Sequence, residues 1–330
     1  MRITALAGGT GAAGLLLELR DRLYCTGQSE SELTVIANTG SDITLHGLRI
    51  CPDVDALARD LGSPDDERDI RRNGQESYSA AEEFSAFGAE HEWFFLSDRE
   101  LALQVLRSHR LSRGETLSTV TSDIARRFGL PERGIRLLPM SDDPVETHVV
   151  VDLGEGPTAV HYLEWCRRHP ATSPPQRLVA VGMDRARPAP GTSAALEQAD
   201  LILLCPSDPV TSIGTILLVP GLREQIRRSK APVIGICPAL NGGGAHAQAV
   251  LAHVCGSTRA AQVADLYADL LDGWIIDRAE SSLPDSSDGP ALARARLSST
   301  DPEDVQELAQ TVLDLSARCS HERRRKPTVA

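Results

Sequence analysis

The stretch that decides the fold is Ile3-Thr4-Ala5-Leu6-Ala7-Gly8-Gly9-Thr10-Gly11-Ala12-Ala13-Gly14. Ile3 to Ala7 reads as a buried strand that runs straight into glycine. Leu15, Leu16 and Leu19 then recur at helical spacing, which predicts a helix from about Ala12 to Leu23. Glycines at such a junction let the backbone approach an anion, and the following helix aims free N–H groups and its positive dipole end at it. The alternative is a tight strand-to-helix turn that binds nothing.

Outward from this stretch, a second strand, Leu33 to Ala37, leads into Asn38-Thr39-Gly40-Ser41-Asp42. Strand, loop, helix, strand is the opening of a doubly wound parallel sheet, so the fold class is α/β, Rossmann-like, with a mainly parallel sheet. Further strand-like runs lie at Val149–Val151, Val179–Val181, Leu201–Leu204 and Val233–Ile236, and a helix from Gly221 to Ser229 suits a right-handed crossover. Residues 53–135 carry helical patterns without continuous apolar runs and are expected to be a helical insertion capping the core formed by 1–52 and 136–280. The charged segment Gly62 to Gly74 within it reads as a mobile loop. Beyond 280, a Ser/Pro/Asp-rich linker to about 300 precedes a helix, Pro302–Ser316, capped by Asp301, and a basic tail from His321 expected to be disordered.

Bulk properties narrow the function. A chain of 330 residues buries a sizeable core without staples. The net charge of −12 opposes binding to nucleic acid or an anionic membrane face, and 4% aromatic residues leave little for stacking single strands. Seven cysteines without framework spacing read as free thiols, with Cys205 and Cys237 in the core. No signal peptide or apolar run of about 18 residues is present, so a cytoplasmic protein is expected.

Gly9-x-Gly11-x-x-Gly14 has the form of a dinucleotide fingerprint, but the second strand ends in Asn38 rather than the acid that grips a nicotinamide ribose. Asn38 to Asp42, His46-Gly47 and Cys51-Pro52-Asp53-Val54-Asp55 should lie near the same crevice. Asp42, Asp53 and Asp55 beside a phosphate site make sense if they share a hard divalent cation such as Mg²⁺; the bland alternative is a surface turn with Asp53 as a helix cap. His46 either orients a hydroxyl or packs. In Leu138-Pro139-Met140-Ser141-Asp142-Asp143-Pro144, adjacent acids between prolines fit a rigid loop in which one acid can accept a proton or ligate metal while the other can simply cap a turn. Pro206-Ser207-Asp208-Pro209-Val210-Thr211-Ser212-Ile213-Gly214 can form an anion nest after its strand, and Asn241–Gly244 is a further loop at a sheet crest.

Taken in order, these segments resemble the 2-phospho-lactate transferase family of coenzyme F420 biosynthesis, called CofD in archaea and FbiA in actinobacteria. Leu33–Gly40, His46 through Asp55, Ser97-Asp98-Arg99-Glu100-Leu101-Ala102, Leu137–Val145 and Leu271-Asp272-Gly273-Trp274 add to the likeness, which reaches to about residue 278. The resemblance implies a Mg²⁺-dependent enzyme, a homodimer, in which the ribityl hydroxyl of the deazaflavin Fo attacks a guanosine diphospho-ester of lactate, enolpyruvate or glycerate and GMP leaves. It further implies that Gly8, Gly9, Thr10, Gly11 and Ser207, Pro209, Ser212, Ile213 and Gly214 hold the diphosphate and nucleoside, with Asn38 and Thr39 alongside. Asp42, Asp53 and Asp55 would then supply metal and hydroxyl contacts, Ser41, His46 and Asp142 would serve the chemistry, and Asp98, Arg99 and Asp143 would close the acceptor pocket. The family pattern carries an acid where this chain has Ser41, which points to a divergent paralogue as the alternative. A related gluconeogenesis-factor branch binds UDP-sugars as a regulator, but Cys51-Pro52-Asp53 and Leu137–Val145 match the transferase branch better.

Overall fold

A central sheet of seven strands, all parallel, forms the core of the computed structural model, which describes residues 1–9, 11–25, 32–62, 76–89, 93–238, 244–280, 289–297 and 301–325. Thr10, most of the charged segment after Gly62, the 241–243 part of the Asn241–Gly244 loop and the last residues of the tail lie outside the described residues. The strands of this sheet are β1 (Arg2–Ala7), β2 (Glu32–Ala37), β5 (Ile135–Pro139), β9 (Leu201–Leu204), β10 (Val233–Ile236), β11 (Gly273–Asp277) and β12 (Ala291–Ala295). Their spatial order is β12-β11-β10-β9-β1-β2-β5. The interior strands β9 and β10 are buried along their whole length, as a sheet covered on both faces by helices requires.

The chain steps outward from β1 to β2 and β5, then returns to pair β9 against the other edge of β1 and continues away through β10 to β12. Strand order therefore reverses between β1 and β9, and the crest beyond their carboxyl ends is the position where open α/β sheets take ligands. The Ala13–Cys25 helix follows β1, and the Leu222–Arg228 helix lies in the crossover from β9 to β10. The Pro52–Gly62 helix packs on β2 and β5, and the Leu117–Arg127 helix packs on β5. The Ser79–Ala86 helix buries none of its residues, and the Asp98–Ser112 helix buries only Gln104 and Arg107.

Several elements differ from the sequence-based reading, and β5 and β11 are strands that it did not single out. The runs at Val149–Val151 and Val179–Val181 are not in the parallel sheet: they belong to β6 (Glu146–Asp152) and β8 (Arg177–Val181), which with β7 (Pro157–His161) make a small antiparallel sheet in the order β7-β6-β8. Burial alternates along β6, so one face only is covered, a distinction that three adjacent valines conceal. The stretch read as a linker contains β12, which forms the outer edge of the main sheet. The last helix runs from Pro302 to Arg325, through part of the tail expected to be disordered; Asp301 caps it through the Glu303 N–H at 2.9 Å. A hairpin, β3 (Ile43–Leu45) and β4 (Leu48–Ile50), projects from the crest after β2.

Candidate functional site

Three segments converge on Gly8, the first residue past β1. Its N–H donates to Ser207 Oγ at 3.0 Å, across the β1/β9 boundary. A Cβ at this position would sit 2.6 Å from Ser212 Oγ and 3.0 Å from Asp53 Oδ2, so only glycine fits. Gly9 follows with φ +67°, in the left-handed region that glycine enters without strain. The 207–214 segment closes the other side. Asp208 accepts from the N–H groups of Val210 and Thr211 at 2.9 and 2.6 Å, and Pro209–Gly214 winds as one wide π-turn in which Pro209, Thr211, Ser212 and Ile213 are buried. Tyr267 anchors the turn by donating to Pro209 O at 2.8 Å. A Cβ on Gly214 would meet Pro209 O at 2.9 Å.

Asn38, fully buried at the end of β2, joins the parts. Its amide N–H groups lie 2.7 Å from Asp53 Oδ2, 3.1 Å from Ser41 Oγ and 3.2 Å from Thr211 O, and its oxygen accepts from Gly40 N–H at 2.9 Å. An acid at this position would repel Asp53. Ser41 also donates to Asp53 Oδ2, at 3.2 Å. Asp53 stands in the first turn of the Pro52–Gly62 helix and faces the glycine bend; burial pushes its carboxyl up, against the hydrogen bonds from Asn38, Ser41 and Gly9.

Asp42 is fully buried. Its N–H donates to Thr39 O at 3.2 Å, Cys51 Sγ donates to its Oδ2 at 2.9 Å, and the Arg49 guanidinium stands 3.5 Å from the same oxygen. Oδ1 has no hydrogen-bond partner. Burial raises the carboxyl to about 7 in spite of Arg49 and Cys51. An orphaned buried carboxylate oxygen fits a cation or a donated proton, and Asp53 is near enough to add its own charge to the same field. Thr39 is likewise buried with its hydroxyl unpartnered.

The remaining predicted residues are placed elsewhere. Asp55 does not turn toward the crevice. It is gripped by Arg107, which is fully buried, and by Gln104 Nε2 at 2.8 Å, so both of its oxygens are already engaged. Residues two apart on a helix point to different sides, which is why Asp53 and Asp55 part company. Among the described residues, no group of three or more His, Cys, Asp and Glu is placed to hold a metal ion. Asp142 accepts from Ser118 N–H and Oγ at 2.6 and 2.9 Å, at the start of the Leu117–Arg127 helix. Asp143 accepts from Arg187 N–H at 3.0 Å. Asp98 accepts from the N–H groups of Ser79 and Ala80 and so ties two helices of the cap together. Arg99 is exposed and lines a separate cavity with Arg59, Arg110 and Arg127. His46 sits at the hairpin tip with φ 51°, stacked on Phe84 at 5.3 Å, and lines an apolar slot with Phe94 and Phe95.

Arg49, Arg107 and His161 are neighbours of the crevice acids that spacing alone does not single out. Arg49 pairs with Glu146 of β6 as well as facing Asp42. His161 is 5% exposed and its Nε2 lies 3.0 Å from Asp42 O.

The 2-phospho-L-lactate transferase CofD family model matches residues 3–315. The chain belongs to the CofD family. It is similar to the phosphoenolpyruvate transferases of Thermobifida fusca (41% identical, 96% of this chain and 98% of the relative), Kitasatospora aureofaciens (42%, 97% and 99%) and Mycolicibacterium smegmatis (37%, 96% and 99%). Among solved structures it is similar to a member of the UPF0052 family from Bacillus halodurans, with a TM-score of 0.60 at 18% identity over 94% of this chain and 99% of that one. At that identity the likeness concerns the Rossmann-like fold alone. No described helix of this CofD-family chain is long and apolar enough to cross a membrane.

Proposed function

We propose that this CofD-type transferase moves a phospho-hydroxyacid group from a guanosine diphospho-ester to the ribityl hydroxyl of Fo, in coenzyme F420 biosynthesis. The hydroxyl oxygen forms a bond to the phosphorus that carries the hydroxyacid, the bond from that phosphorus to GMP breaks, and the hydroxyl proton is lost. Of the phospholactyl, phosphoenolpyruvyl and phosphoglyceryl donors, the names of the curated relatives favour phosphoenolpyruvyl.

The observation that carries this reading is the convergence of Gly8, Ser207, Ser212 and Asp53 at the strand-order reversal. In-line transfer of a phosphoryl group from a phosphate oxygen to an alcohol oxygen needs positioning and charge neutralisation more than covalent chemistry. The amides of Gly8, Gly9 and Gly11 and the first amides of the Ala13–Cys25 helix bind the diphosphate. The 207–214 turn borders the nucleoside side. Asp53 and the unpartnered oxygen of Asp42 would hold Mg²⁺, which when bound would neutralise diphosphate charge. Asn38 and Ser41 keep Asp53 aimed at the bend. Asp55 has no part in holding the cation.

The test is to incubate purified protein with Fo, Mg²⁺ and each of the three guanosine donors in turn, following GMP and the new phosphodiester. The expected result is product with one donor, strongest with the enolpyruvyl ester. Absence of GMP with every donor, with binding of UDP-N-acetylglucosamine and none of GDP, would replace the transferase with a sugar-nucleotide sensor.

A further inference from the structure

We propose that His161 is a positioning residue that sets the backbone of Asp42, and that the small β7-β6-β8 sheet is the clamp through which it acts. The inference rests on the transferase reading for its kinetic readout, and on the crevice alone for its binding readout.

Three contacts run from the small sheet to the crest segment 38–50. Thr147 N–H donates to Gly40 O at 2.7 Å, Glu146 pairs with Arg49, and His161 Nε2 meets Asp42 O at 3.0 Å. The ring's other nitrogen decides the tautomer. His161 Nδ1 accepts from Leu163 N–H at 3.2 Å, capping the Tyr162–Arg168 helix, so the ring proton resides on Nε2 and is donated to Asp42 O. His148 packs edge-on against the ring, with centroids 5.3 Å apart. The imidazole is thus held at both nitrogens and on one side.

Asp42 is fixed at both of its backbone polar groups: Thr39 O accepts from its N–H and His161 donates to its carbonyl. With Cys51 and Arg49 on Oδ2, Oδ1 is the oxygen left to take a new partner. If the carbonyl anchor is removed, the carboxyl loses its fixed origin although none of its own bonds is touched. A displacement on the order of 1 Å in such a group costs up to about a hundredfold in rate.

Two variants separate the two nitrogens. In His161→Asn the amide oxygen stands where Nδ1 was and retains the helix cap, but nothing reaches Asp42 O. In His161→Gln the longer amide reaches Asp42 O and the cap is compromised. We expect His161→Asn to melt within a few degrees of wild type near neutral pH while kcat falls at least about tenfold with donor KM within about twofold. His161→Gln should melt lower yet keep kcat within about threefold of wild type. The second readout is Mn²⁺ affinity in the presence of GDP, by electron paramagnetic resonance: about tenfold weaker in His161→Asn and near wild type in His161→Gln. Activity and Mn²⁺ affinity that follow melting temperature in both variants, or wild-type values in His161→Asn, would overturn the proposal. Should wild type itself transfer nothing, the transferase reading fails while the Mn²⁺ titration still judges His161.

Discussion

Asp42 and Asp53 act through what surrounds them. Asp42 is buried, short of one partner and raised to about 7, so near neutral pH much of it is protonated in the free protein. Asp42→Asn is nearly isosteric with that neutral form. We expect it to leave the melting temperature within a few degrees and to cut turnover by about a hundredfold or more, measured as GMP release; full turnover would remove Asp42 from the machinery. Ser41→Asp should do the reverse to the free protein, since it places a third acid against Asp53 and Asp42. Expected is a lower melting temperature without metal and tighter Mn²⁺ binding, read in the same pair of titrations. Burial holds His161 down at about 4, against an ordinary value of 6.5. Between those values the unfolded chain binds a proton that the folded chain does not, so this group makes stability fall as pH falls through that window. Its surroundings are His148, Glu146 and Arg49. Urea unfolding should therefore show wild type losing about 2 kcal/mol relative to His161→Asn between neutral pH and pH 5, and a constant gap would refute it. Asp42, with its value raised, gives the opposite slope, and placing Asp42→Asn in both proteins removes it from the comparison.

The Pro52–Gly62 helix shows what spacing conveys and what it hides. The pairing of Asp53 and Asp55 in one motif suggested a shared cation, yet helical geometry alone sends residues two apart to different sides. Asp55 goes instead to Arg107 on the Asp98–Ser112 helix, a contact 52 residues distant in sequence that no local pattern announces. This buried pair joins the cap to the helix that presents Asp53. Arg107→Met alone leaves a buried carboxylate without its cation and should cost about 3–5 kcal/mol in chemical denaturation, whereas the double change with Asp55→Leu should recover most of it. Equal losses in both proteins would mean that packing, not charge, is what Arg107 supplies. At the same scale four strands of the parallel core, β1, β2, β9 and β10, were legible as short, mainly apolar runs, whereas β5 and β11 were not singled out. β12, Ala-Leu-Ala-Arg-Ala, lacks the β-branched residues that mark a strand and is held as one by its partner β11. The valines of β6 and β8 read like core strands because a short apolar run carries no sign of which sheet it joins.

For the whole molecule, the glycine bend, the Asn38–Asp42 loop and the 207–214 turn were recognisable as ends of strands, and the topology brings all three to one crevice. Their bonding was not recognisable: that Asn38 reaches Asp53 and Thr211, or that Ser207 receives the Gly8 amide, depends on β1 lying between β2 and β9. Asp98, Arg99, Asp142 and Asp143, grouped with the site by motif, make helix-end and loop contacts or line a separate cavity. A net charge of −12 does not by itself oppose a small anionic ligand, because attraction by backbone amides is local. The central claim is that this crevice holds a diphosphate with a divalent cation beside it. A crystal soaked with GDP and Mn²⁺ tests it most directly. The account predicts phosphate oxygens within hydrogen-bond distance of the Gly8–Gly11 amides and an anomalous peak between Asp53 and Asp42; nucleotide bound elsewhere, or a cation on Asp55 or Asp142 instead, would contradict it.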